Sequence, residues 1–165
     1  MFGFFKTKSL FEKHYPKFLA QPIIKASKNH KPITAAYLFV LSDFALMAKG
    51  KHKERNETAQ KVFATLESKF LTPAEMKLFD KATDLFGEIV RGVTRARGDW
   101  CFSNDNGDNP VYNLFLCYGD LIRAPHYLDD YEGSPILIGD MMQQMNFTMK
   151  FNYVLEMTKT YLDAM

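Results

Sequence analysis

The sequence predicts an all-α protein, a single-domain bundle of five or six helices carrying two acidic, aromatic-containing loops. Three observations lead there. Apolar residues recur three and four positions apart through most of the chain, which places them on one face of a helix. Prolines and capping residues fall between these stretches, where helices start and stop. No pair of alternating segments flanks a tight turn, so the hairpin signal is missing.

The first 30 residues form a basic, proline-interrupted segment. Phe11, Tyr15, Phe18 and Leu19 share one helical face, while Pro16 and Pro22 must sit at helix starts or kinks. A broken helix is expected over 9–20, with a second piece over 22–28. Ile33–Lys49 is apolar on nearly every side, as a helix in the middle of a bundle would be. Only Thr34, Ser42 and Asp43 interrupt it, and it falls short of the ~20 residues that a bilayer span needs. Gly50 ends this helix, 51–55 reads as a solvated connector, and Asn56 reads as the cap of a helix carrying Ala59, Val62, Phe63, Leu66 and Phe70.

The sharpest local signal is Thr72-Pro73-Ala74-Glu75, a capping box with proline at the first helical position. The helix it opens runs to about Arg97, and its Gly87 and Gly92 are expected to mark close helix–helix approach. Gly98–Asn109 breaks the pattern with Asn, Asp and Gly, whose side chains bond to nearby backbone and favour turns. Pro110 restarts a helix through Leu121. A second loop, Ala124–Gly133, leads to a last helix with Ile138, Met141, Met142, Met145 and Met149 on its core stripe.

The 165 residues suit one domain, since single cores are commonly built from roughly 100–200 residues. With 15 Phe, 8 Tyr and 9 Met there is ample ring area to bury and flexible thioether to fill gaps. Two cysteines, Cys101 and Cys117, make no disulfide framework, and the apolar-first start resembles no secretory leader. Both features predict a reducing, cytoplasmic setting.

The net charge of +2 conceals a division along the chain. Residues 1–61 carry twelve Lys/Arg against four carboxylates, whereas 62–165 carry nine against fifteen. Within 99–140, seven Asp and one Glu face only Arg123. Such opposed potentials steer partners of opposite sign.

The candidate chemistry is sparse. The 98–109 loop resembles a calcium loop, but with Gly107 at the central glycine the first and last ligand positions are Phe102 and Asn113. The cluster His126–Glu132 matches no metal spacing, and the Glu-x-x-His pattern of di-iron bundles is absent. No catalytic residue, metal or cofactor is therefore assigned. Cys117 lies on an apolar face and reads as core. Asp43, in the most apolar helix, is the one ionisable group expected to be buried.

Three functional readings remain. The leading one is a non-enzymatic protein-binding module, of inhibitor or immunity type, that docks a partner with a basic surface. Its binding residues are Asp99, Trp100, Phe102, Asp105, Asp108, His126, Tyr127, Asp129, Asp130, Tyr131 and Glu132, aromatic anchors set in a charged rim. The second is a small helical enzyme or ligand- or metal-binding domain, its pocket roofed by the 98–109 and 124–133 loops with Asp99, Cys101, His126 and Asp130 converging. The third is peripheral attachment to an anionic membrane through residues 1–19, where lysines alternate with aromatics. Nucleic acid is not expected, because that segment lacks arginine.

Overall fold

The computed structural model describes residues 7–91, 110–128 and 141–165, and every regular element among them is helical. In chain order these are α1 (Leu10–Leu19), α2 (Pro22–Lys25), α3 (His30–Ala48), α4 (His52–Thr65), a π-helical turn (Leu66–Phe70), α5 (Pro73–Val90), α6 (Pro110–Arg123), a 3-10 turn (Pro125–Leu128) and α7 (Met141–Asp163). The all-α expectation holds. The bundle has seven α-helices among the described residues, because the basic front segment is two short helices.

Helix α1 begins with a cap that periodicity alone does not reveal. Ser9 Oγ accepts from the Glu12 amide at 3.2 Å, and Glu12 Oε2 accepts from the Ser9 amide at 3.0 Å. Lys69 Nζ donates to the other Glu12 oxygen at 2.9 Å, tying the start of α1 to the π-helical turn. These donors hold the Glu12 carboxyl at about 2, below the ordinary carboxylate range. A depressed folded pKa contributes stability above the unfolded value near 4.5, lost as pH falls towards 2. Glu12→Gln is accordingly expected to cost about 1 kcal/mol at pH 7 and nothing near pH 2. Urea unfolding at the two pH values checks it, and an equal loss at both would refute the assignment.

Helix α3 is the axis of the bundle. It packs most extensively on α5 and also meets α1, α4, α6 and α7. By length and composition it is apolar enough to cross a membrane, yet 61% of its apolar window is buried inside the molecule. Every residue from Pro32 to Leu38 is buried.

The seam of α3 that faces α6 and α7 is not purely apolar. Thr34, Tyr37 and Ser42 are spaced along one side and each meets a hydroxyl from the C-terminal helices. Tyr118 OH shares a hydrogen bond with Thr34 Oγ1 at 2.8 Å. Tyr37 OH lies 2.9 Å from Thr158 Oγ1, which itself donates to the Val154 carbonyl. Ser42 Oγ donates to the Leu38 carbonyl and is bonded by Tyr161 OH. The Tyr37 and Tyr118 rings stack with centroids 4.0 Å apart and planes 14° apart. Burial drives all three phenols upward, Tyr161 to about 12, so they stay protonated and able to donate.

Several sequence expectations need correction. Helix α4 starts at His52, not at Asn56, so the stretch expected to be a solvated connector is the helix's first turn. Helix α4 ends in a π-helical turn, with the Leu71 amide bonding to the Leu66 carbonyl. That wider turn sets Phe70 edge-on to Tyr15, with centroids 5.2 Å apart, beside the Lys69–Glu12 bridge. The Thr72 capping box is present as read. Among the described residues Gly87 marks no helix–helix approach, because a β-carbon there would meet only the Arg91 guanidinium, at 3.9 Å. Gly92 lies outside the described residues. Met149 is 71% exposed, so it is not on the core stripe of α7; Phe151, Val154, Thr158 and Tyr161 are. The side chains of Ile138, Met141, Met142 and Met145 fall outside the description.

Candidate functional site

Most of the sequence-assigned binding residues lie beyond the described chain. Asp99, Trp100, Phe102, Asp105 and Asp108 fall in 92–109, and Asp129, Asp130, Tyr131 and Glu132 fall in 129–140. His126 and Tyr127 belong to the 3-10 turn that closes α6. Cys101 lies outside as well, and Cys117 is fully buried in the core, as its apolar face predicts.

The described residues do fix what these two acidic segments spring from. The first joins the C-terminal end of α5 to the start of α6; the second begins just past the 3-10 turn. Every residue of α6 is buried or half-buried, and Leu114, Phe115, Cys117, Tyr118 and Leu121 fill the core. The 3-10 turn is pinned in two ways. Leu128 is fully buried, and Lys81 Nζ of α5 donates to the Leu128 carbonyl at 3.3 Å. The two anchors thus sit at opposite ends of a 14-residue helix, about 20 Å apart at 1.5 Å per residue.

Elsewhere two concave surfaces stand out. One is a cleft of about 260 Å³ between α3, α4 and α5, with apolar walls from Phe39, Phe44, Met47 and Val90. Asp43 and Arg55 meet at its rim. Asp43 is therefore not the buried charge the sequence predicts: its side chain is 32% exposed, and Arg55 grips it through Nε and through Nη2, the latter at 2.9 Å from Oδ2. The early start of α4 is what brings Arg55 across. The Asp43 side chain raises the Arg55 guanidinium further above its ordinary value, so Arg55 stays charged and offers no transferable proton. Thr83 Oγ1 is a buried oxygen beside this cleft with no hydrogen-bond partner among the described residues.

The other surface is an open groove of about 410 Å³ between α1 and α7. His14, Lys17, Ala20 and Gln21 line one side, and Tyr153, Glu156, Met157 and Thr160 the other. The His14 ring lies 5.2 Å from the Tyr161 ring, and its pKa is lowered, by burial first and then by Lys17 and Lys13. The sequence reading missed this groove, because it places α1 and α7 in contact although they stand at the two ends of the chain. Among the described residues no group of three or more His, Cys, Asp or Glu is arranged to hold a metal.

Comparison with family models, with curated proteins and with solved structures finds no match for this chain.

Proposed function

We propose that the protein is a non-enzymatic binding module, of inhibitor or immunity type, whose acidic 99–133 surface docks a protein partner with a basic face. The observation that carries this reading is the spacing of the two anchors. The acidic, aromatic-bearing segments are attached at opposite ends of an enclosed helix about 20 Å long, a separation comparable with the breadth of a protein–protein interface, which buries roughly 800 Å² per partner. The rigid base also favours docking, because a pinned 3-10 turn and a core helix lose little freedom when a partner binds.

The test compares charge reversals of equal size. Asp105→Lys with Asp129→Lys is set against Glu54→Lys with Glu57→Lys on the exposed face of α4. A basic protein captured by the wild-type chain in moderate salt should be retained by the second variant and lost by the first. The difference should shrink in about 1 M salt, where screening reduces the reach of charge to roughly 3 Å. Equal retention by both variants would end the proposal.

A further inference from the structure

We propose that the groove between α1 and α7 is a second docking site, which takes an acidic amphipathic helix from a protein partner. The inference is independent of the acidic surface and uses the opposite charge. Its first support is the exposed side of α7. Met149 and Tyr153 are 71% and 63% exposed, and their four-residue spacing puts them on one side of the helix, leading to Met157 in the groove. Large apolar groups one turn apart beside a concave channel match the way an amphipathic helix seats its anchors at i and i+4.

The second support is charge. Lys13 and Lys17 stand one turn apart on α1, both exposed, and Lys150 is exposed beside Met149. Two acidic groups here have partners: Glu12 is held by Ser9 and Lys69, and Glu156, which lines the groove, pairs with Lys159 at 3.1 Å. With Lys13, Lys17, Lys150 and Lys159 around it and Glu156 in its wall, the groove still carries an excess of ammonium groups, and carboxylates flanking a ligand's apolar stripe would answer them. The groove is concave and its large apolar groups run along one side of α7, which suits an amphipathic helix better than a flat bilayer.

The test is an NMR titration of the isotope-labelled protein with a synthetic 18-residue peptide of Leu and Glu. Its leucines follow the i, i+3, i+4, i+7 pattern, and a twin carries Lys in place of Glu. The acidic peptide should shift the signals of His14, Lys17, Gln21, Met149 and Tyr153, while the basic twin should not. Lys13→Glu with Lys17→Glu, and separately Tyr153→Ala, should each weaken binding about tenfold or more. All three positions are exposed, so circular dichroism of the variants should match the wild type. Shifts mapping elsewhere, equal binding of the twin, or no effect of the variants would overturn the assignment. Wild-type protein that ignores the peptide but co-sediments with phosphatidylglycerol vesicles, and loses that with Lys17→Glu, would give the surface to a membrane and overturn it too.

Discussion

Replacing Tyr37 with alanine is expected to cost about 4 kcal/mol, most of the stability of a protein at the low end of the typical range of about 5–15 kcal/mol. Tyr37 is fully buried. Its ring stacks on Tyr118 and meets Phe18 and Phe86 edge-on, with centroids 6.5 Å and 6.0 Å away. Alanine would open a cavity among those three rings and withdraw the hydroxyl that bonds Thr158. Tyr37→Phe separates the two losses. It keeps the ring and should cost only about 1 kcal/mol, because Thr158 retains its bond to the Val154 carbonyl. Equilibrium urea unfolding of both variants checks this. An alanine variant within 2 kcal/mol of wild type would show that the stack does not carry the core.

A matched pair of glycines supplies the second large effect. Gly119 of α6 lies against Phe151 of α7, and a β-carbon there would come within 3.1 Å and 3.2 Å of that ring. The ring cannot step aside, because Phe115 and Phe147 stack on it at 5.3 Å each and Tyr118 meets it at 5.4 Å. Gly119→Ala should therefore lose about 1–2 kcal/mol net, overpacking outweighing the gain in helix propensity, and Gly119→Leu should not fold. Gly87→Ala on α5 has no such neighbour and should gain about 0.5–1 kcal/mol. Both residues are in helices, so the difference between the alanine variants isolates the contact with Phe151. If both variants gain stability, α6 and α7 are not packed closely at this point.

These two sites also show how far the sequence can be read. Capping signals are local, and Thr72-Pro73-Ala74-Glu75 behaves as its chemistry dictates. The apolar all-round pattern of α3 correctly marks the central helix. The hydroxyl seam within it was not legible, because Thr34, Tyr37 and Ser42 acquire meaning only from partners 84 to 121 positions away. The same holds for the glycines. Poor helix propensity flags Gly87 but cannot say whether another helix lies nearby, and the tight approach occurs at Gly119. The π-helical turn has no signature in Leu66–Phe70; it follows from Phe70 reaching Tyr15 and Lys69 reaching Glu12. The acidic stretches are legible in composition alone, and the described residues add only the helix and 3-10 turn that flank them.

The hydroxyl seam has a consequence in time as well as in space. Helix α3 is made well before the helices that satisfy it, and 121 residues separate Tyr37 from Thr158. At synthesis rates of about 5–20 residues per second, the nascent chain must wait roughly 6–24 s between them. Helix α6 covers part of this seam first, through Tyr118, but the hydroxyls that bond Thr158 and Tyr161 stay without those partners until α7 arrives. Helix α3 is the segment that a chaperone at the ribosome would be expected to hold, and its release would coincide with the arrival of α7.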